Sequence, residues 1–184
     1  MTSTTTKVIN TAIVLLVRLS IAAVIAVFFS ILATSPVYAQ ECPSFTPEQH
    51  VLIQKAKAIG DYNDLGYTLA AIVWREAIVG QYIVRVNGGD GAEGSYGVAQ
   101  MQITTAAYLT GEDNLWRAKA VLAPALINND TEALKLGLQY LNTHAHLGWR
   151  AMIARYNGKG PMARAYARDV VGRVKILQAC LYYG

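Results

Sequence analysis

Glu76 is the residue in this chain best placed to do chemistry. It follows Ile72 and Val73 by four and three positions, so its carboxyl lies along an apolar helical stripe. Burial there disfavours the charged form and raises the pKa, and a carboxyl that keeps its proton near neutral pH can act as a general acid. A second reading makes Glu76 a half-exposed residue at a helix edge, paired with Arg75 or Arg85. Two other stretches carry groups that could meet it. Gly94-Ser95-Tyr96-Gly97-Val98-Ala99-Gln100-Met101-Gln102 puts two glycines around a hydroxyl pair and brings two amides to the start of a helix. Glycines let backbone approach a ligand closely, and side-chain amides can hydrogen-bond a neutral sugar. Tyr156-Asn157 closes another apolar helix just ahead of a glycine turn.

These groups need helices to position them, and helices dominate the pattern. Thr46-Pro47-Glu48-Gln49 is a helix start, with Thr46 as cap and Gln49 able to reach back. Val51, Leu52, Lys55, Ala56 and Ile59 follow on one face, and Gly60 ends the helix. A second helix is predicted from about Tyr67 to Val79, with Leu69, Ile72, Val73 and Glu76 on one face. Residues 80–95 read as a loop or short hairpin, with Tyr82-Ile83-Val84 a brief strand. Helical pattern returns over Ala99–Leu109 and Trp116–Ile127, where Pro124 predicts a break. Asp130 is expected to cap the next helix, whose stripe is Leu134, Leu138 and Leu141. Trp149, Met152, Ile153 and Tyr156 predict a helix over Gly148–Tyr156. The last helix should face Met162, Tyr166, Val170, Val174, Leu177 and Leu181 inward.

The chain has 184 residues, enough for one domain with a real core. Its 53% apolar content is inflated by the first 39 residues. There Lys7 and Arg18 precede an apolar run, and Val37-Tyr38-Ala39 follows with small residues at a signal-peptidase spacing. Residues 1–39 are therefore expected to be a secretory signal peptide cut after Ala39, leaving residues 40–184 as one domain. The alternative is an uncleaved anchor. The uncharged run Leu19–Ala33 is short of the roughly 20 residues a span needs, and Arg18 inside a longer span would cost about 2.5–3.5 kcal/mol. Cys42 is not in a lipoprotein context. Loss of Lys7 and Arg18 lowers the formal charge from +4 to +2, a weak pointer to any partner.

Cys42 and Cys180 sit at the two ends of the remaining chain. In an oxidising compartment they are expected to pair, with roughly 5 kcal/mol as the upper chain-entropy figure for so long a loop. Two unpaired buried thiols are the alternative. His144 and His146, two apart on a helix, would point away from each other and not share a metal, and His50 reads as solvated. Asn87-Gly88-Gly89-Asp90-Gly91 lacks the further acids of a calcium loop and the lysine of a phosphate loop. No metal or cofactor is expected. Seven cations, Arg150, Arg155, Lys159, Arg164, Arg168, Arg173 and Lys175, face one acid, Asp169. They read as a solvated helix face, or as an attraction for anionic stem peptides or acidic lipid. Nucleic acid is the weakest reading for an exported chain.

Taken together, Glu76, the Gly-Ser-Tyr-Gly-x-x-Gln run at 94–100 and Ala154-Arg155-Tyr156-Asn157-Gly158 resemble the soluble-type lytic transglycosylases, which carry Glu-Ser, Gly-Leu-Met-Gln and Ala-Tyr-Asn in that order. In size and layout the chain resembles the small exported members near secretion and conjugation machines, with phage members as the alternative. The resemblance implies a mostly α, goose-type lysozyme-like single domain with a short loop or hairpin insertion. It implies that Glu76 is the catalytic acid and base, that Gln100 lines the sugar groove, that Tyr156 orients Glu76 beside Asn157, and that Ser95 contacts substrate, with Tyr96 and Gln102 in the same binding stretch. Three positions depart from the pattern: Ala77 replaces the usual serine, Gln102 a common methionine, and Arg155 an alanine. The implied activity is cleavage of peptidoglycan between N-acetylmuramic acid and N-acetylglucosamine, with closure of a 1,6-anhydro ring. The implied setting is a periplasmic or wall-associated monomer that opens the wall locally, in service of an envelope-spanning assembly. A muramidase would instead want a second carboxylate about 6.5–9.5 Å away, for which Asp90 and Glu93 are the candidates. A non-enzymatic glycan-binding assembly factor, favoured by Ala77, is the third reading.

Overall fold

The computed structural model describes residues 42–85 and 94–181. Seven α-helices and a small antiparallel sheet make up this part: α1 Pro47–Asp61, α2 Gly66–Ala77, β1 Val84–Arg85, β2 Ser95–Tyr96, β3 Met101–Gln102, α3 Ile103–Thr110, α4 Leu115–Asn128, α5 Asp130–Thr143, α6 Trp149–Tyr156 and α7 Pro161–Leu181. A 3₁₀ turn at Ala145–Leu147 leads into α6. The fold is mostly α, with the three strands in the order β1-β2-β3. The expected leader, residues 1–39, and the acids Asp90 and Glu93 lie outside the described residues. No described helix is long and apolar enough to cross a membrane.

The centre of the domain is α2. Leu69, Ala70, Ala71, Ile72, Val73 and Ala77 are fully buried, so the helix is apolar almost all round, as a core helix must be. It packs against α1, α5 and α7. Small residues Ala70 and Ala71 let those neighbours approach, while Leu69, Ile72 and Val73 fill the space between them. Gly60 in α1 serves the same closeness: a Cβ there would stand 2.7 Å from the Leu65 carbonyl oxygen. That is why Gly60 lies inside α1, one residue before its end.

The start of α1 forms the expected capping box. Thr46 Oγ1 accepts from Gln49 N at 3.3 Å, and Gln49 Oε1 accepts from Thr46 N at 3.0 Å. The buried face is shifted from the predicted one: Leu52, Ile53, Ala56 and Gly60 face in, while Val51 and Lys55 are exposed. Met162 is likewise exposed, although Tyr166, Val170, Val174 and Leu177 face the core as the spacing predicts. It lies in the first turn of α7, where the neighbouring Ala163 is the residue that turns inward.

Two helix predictions are corrected by local chemistry. Pro124 does not break α4. It removes one N–H to the Ala120 carbonyl, but both residues are exposed, so water satisfies that carbonyl while Ala118, Ala123 and Leu126 anchor the buried face. The cap of α5 is Asn129, whose Oδ1 accepts from Glu132 N at 3.3 Å. Asp130 is displaced into the first turn, where its charge still favours the helix dipole. The stripe Leu134, Leu138 and Leu141 is buried as expected.

Cys42 and Cys180 form a disulfide with Cα atoms 5.6 Å apart, closing a 138-residue separation. It ties the segment before α1 to the last turn of α7. Beside that segment Phe45 packs edge-on to Trp74 at 5.4 Å, and the Arg173 guanidinium lies 4.6 Å over the Trp74 ring.

Candidate active site

The last turn of α2 delivers Glu76 to a cleft of about 290 Å³ bordered by the sheet, α5 and the end of α6. The chain then turns sharply. Ile78 and Val79 both take left-handed conformations, φ 45° and 54°, which β-branched side chains rarely adopt. Such residues cost of order 1–3 kcal/mol each and persist where their surroundings over-determine them. Here the buried Val79 and the hydrogen bond from Tyr82 N to Ala77 O hold the turn, and it sends the chain back into β1 beside the carboxyl.

The sheet decides which of its side chains reach the cleft. Arg85 pairs with Ser95, and Ser95 with Gln102, so these three form one row across the strands. All three line the cleft. Val84, Tyr96 and Met101 form the neighbouring row. Adjacent residues of a strand point to opposite faces, so Ser95 and Tyr96 cannot both face a ligand. Tyr96 is buried in the hydrophobic core and is not a cleft residue. Tyr96, expected in the binding stretch, therefore packs inward, while Met101 of the same row still borders the cleft.

The glycines of the run serve packing. A Cβ on Gly97, whose φ is 73°, would collide with the Leu126 carbonyl oxygen of α4. One on Gly94 would collide with the Tyr96 ring. Gln100 also departs from its expected place at a helix start. It sits in the β2–β3 turn, not in a helix, with φ 48°. Its Nε2 donates to Tyr82 O and Gly97 O, both at 3.0 Å, so the donor half of the amide braces the backbone. The residue still lines the cleft, where its carbonyl oxygen accepts from no described group. Gln102, at the N-cap position of α3, is exposed on the cleft rim with both ends of its amide available.

Tyr156 comes from the end of α6, as the spacing predicts, and Asn157 follows exposed at the rim. The Tyr156 hydroxyl donates to Ala99 O at 2.8 Å, which ties α6 to the β2–β3 turn. Gly137 in α5 makes room for it: a Cβ there would lie 3.2 Å from that hydroxyl. Tyr156 stacks parallel to Tyr166, ring centroids 6.5 Å apart, and edge-on to Tyr140 at 5.6 Å.

Burial pushes the Glu76 pKa up from its ordinary value; the Tyr166 hydroxyl, then Arg75 and Arg85, partly offset this. Arg75 is not the partner of Glu76. It forms an ion pair with Asp169, Nε to Oδ2 2.7 Å, and its guanidinium rests 5.5 Å over the Tyr166 ring. The Tyr166 hydroxyl faces Glu76 and closes no well-formed hydrogen bond within the described residues. Burial, and then the nearby Glu76 charge, hold both Tyr156 and Tyr166 far above the usual phenol range, so both are neutral donors. Glu76 is the one carboxylate among the described lining residues.

Sequence reasoning missed Tyr166, Tyr140 and Thr105. Thr105 lies one turn into α3, and the Tyr140 hydroxyl donates to Arg155 O at 3.2 Å. Tyr166 carried a usable signal: a tyrosine in an inward stripe must place its hydroxyl somewhere. His144 and His146 differ from their expectation. The helix ends at Thr143, so the two rings approach to 6.5 Å. No group of three or more potential metal ligands gathers within the described residues.

Comparisons of the chain with protein-family models, curated proteins and solved structures find no match. The class of the protein therefore rests on its mostly helical fold and on this cleft.

Proposed function

We propose that the protein is a peptidoglycan lytic transglycosylase with a goose-type lysozyme-like domain. One observation carries the reading: a single carboxyl, made a weaker acid by burial, stands at the end of the central helix in a cleft lined mostly by hydroxyls, amides and one arginine, with Met101 its one apolar side chain. That set suits a neutral sugar chain, and it suits chemistry needing one group that first gives and then takes a proton. Glu76 protonates the glycosidic oxygen between N-acetylmuramic acid and N-acetylglucosamine, and the bond to the muramic C1 breaks. The N-acetyl group of the substrate stabilises the oxocarbenium-like centre. Glu76, now a carboxylate, removes the proton of the C6 hydroxyl, whose oxygen bonds C1 and closes the 1,6-anhydro ring. Protons balance and no water is consumed.

Tyr166 and Tyr156 frame the carboxyl, and Ser95, Gln102 and Asn157 offer hydrogen bonds at the rim. Ala77 is fully buried, so a serine there would need a partner for its hydroxyl inside the core; its absence leaves Glu76 to be tuned by Tyr166. An exported location, with the wall as substrate, agrees with the disulfide, since such bonds persist in oxidising compartments. Local opening of the wall for an envelope assembly is the purpose that fits a domain of this size.

Hydrolysis is the second reading. Asp90 and Glu93 lie between Arg85 and Ser95 in the chain, and both of those residues line the cleft. Mass spectrometry of muropeptides after incubation of purified peptidoglycan with the protein separates the outcomes. Anhydro-muramic ends are expected. Reducing ends would make the protein a muramidase assisted by one of the two acids, and intact glycan with retained binding would make it a wall-binding assembly factor.

A further inference from the structure

A second, larger concavity of about 740 Å³ lies between α6 and α7. Its floor is apolar: Ala163, Ala167 and Val171 of α7 are buried there, with Ala151 and Ala154 opposite on α6. Its rim is cationic. Arg150, Arg155, Lys159, Arg164 and Arg168 all line it, and no acid does. The nearest candidate counter-charge on α7, Asp169, is occupied by Arg75 at 2.7 Å and Arg173 at 3.2 Å. Within the described residues no carboxylate pairs with any of the five. Five unpaired cations around a floor of methyl groups call for an occupant that is acidic and carries small apolar side chains.

The groove adjoins the Glu76 cleft. Gly158 borders both, and even a Cβ there would meet nothing within 4 Å. Whatever enters the groove can therefore be covalently part of what lies in the cleft. Eight residues of α6 give a wall of about 12 Å. An extended tetrapeptide, at about 3.3 Å per residue, has a similar length.

We propose that this groove binds the acidic stem peptide of peptidoglycan while the attached glycan occupies the cleft. The ligand rests on the proposed glycan cleavage; the groove and its charge do not. The alanine methyls at the two ends of a stem tetrapeptide lie on the alanine and valine floor. Its free carboxylates meet Arg150, Arg164, Arg168 and Lys159, with bidentate pairing open to the arginines. The contribution of the site is selection: stem-bearing strands are held in register, and stripped strands are not.

The test titrates the purified protein with the free tetrapeptide L-Ala-D-Glu-diaminopimelate-D-Ala, followed by amide NMR. It compares wild type with the double variant Arg164→Glu/Arg168→Glu and with Ala151→Leu, which fills the floor without changing charge. The peptide is expected to shift resonances of Ala163, Ala167 and Arg164 in wild type. Each variant should weaken binding about tenfold, as two reversed rim charges or a filled floor would. The ratio of kcat/KM on stem-bearing over amidase-stripped glycan should fall by about the same factor. Equal tetrapeptide affinity in wild type and both variants overturns the proposal. So does loss of binding to phosphatidylglycerol vesicles in the double variant with no competition from tetrapeptide, which would make the groove a membrane contact. If neither glycan is cleaved, the proposed activity fails, and the titration still decides the groove.

Discussion

The cleft and the groove meet at Gly158 and are built on opposite terms. In the cleft several polar groups are held by backbone, among them the Tyr140 hydroxyl on the Arg155 carbonyl. Gln100 is pinned by two carbonyls, Tyr156 by the Ala99 carbonyl, and Ser95 and Gln102 by their places in one sheet row. In the groove Arg150, Arg164 and Arg168 extend from exposed helix positions and Lys159 from the bend after α6, and all are pinned by nothing described. The cleft also tolerates left-handed Ile78, Val79 and Gln100 around its acid, whereas α6 and α7 flank the groove as regular helices. The difference teaches what each can do. Proton transfer needs a group fixed within hydrogen-bond reach and shielded from water. Attraction of a charged chain needs only cations of one sign over a surface that excludes little.

The comparison breaks most sharply at Glu76. Glu76→Gln keeps the size and removes the acid, so cleavage should fall by about 10²–10⁴-fold while sacculus binding is retained. Muropeptide release against pull-down of sacculi measures the two together. Loss of both would mean that the cleft binds through the carboxylate and does not use its proton. Reduction of Cys42–Cys180 should come next, destabilising the domain by about 2–5 kcal/mol and read as a drop in thermal midpoint with dithiothreitol. Tyr156→Phe leaves the Ala99 carbonyl without its donor, at a cost of about 1–3 kcal/mol. It should lower turnover as well, since the β2–β3 turn loses its tie to α6; chemical denaturation and kcat report the two effects.

The smallest effect sharpens the electrostatic side. Burial raises the Glu76 pKa above the ordinary 4.5, so the folded state holds this proton more tightly than the unfolded state does. The stability linked to that proton is complete below pH 4.5 and is lost as pH rises through the folded value. Glu76→Gln never loses it. The variant should therefore gain in thermal midpoint relative to wild type as pH rises from 4 to 8, and a constant difference would count against a buried acid.

Much of this was legible because it is local. Thr46 and Gln49 form their capping box within four residues, and the Leu134, Leu138 and Leu141 stripe needs only helical spacing. The place of Glu76 on a buried helix and of Tyr156 at a helix end followed from the same periodicity. What could not be read depends on partners distant in the chain. Gly97 is glycine because Leu126 of α4 passes behind it, and Gln100 donates to Tyr82, eighteen residues earlier. Pro124 stays inside α4 because its freed carbonyl faces water, which periodicity alone does not reveal. Tyr96 was within reach, since Ser95 and Tyr96 in one strand must point apart. Tyr166 was marked as core by its stripe, and only the fold puts its hydroxyl beside Glu76.

The central claim is that Glu76 is a carboxyl whose proton is retained by burial and moderated by Tyr166. Titration of the Glu76 side-chain carboxyl by ¹³C NMR, in wild type and Tyr166→Phe, tests it most directly. The account predicts a midpoint above the usual glutamate range, and a further rise when the Tyr166 hydroxyl is removed. A midpoint at the ordinary value, unmoved by Tyr166→Phe, would make Glu76 a solvated carboxylate and contradict it.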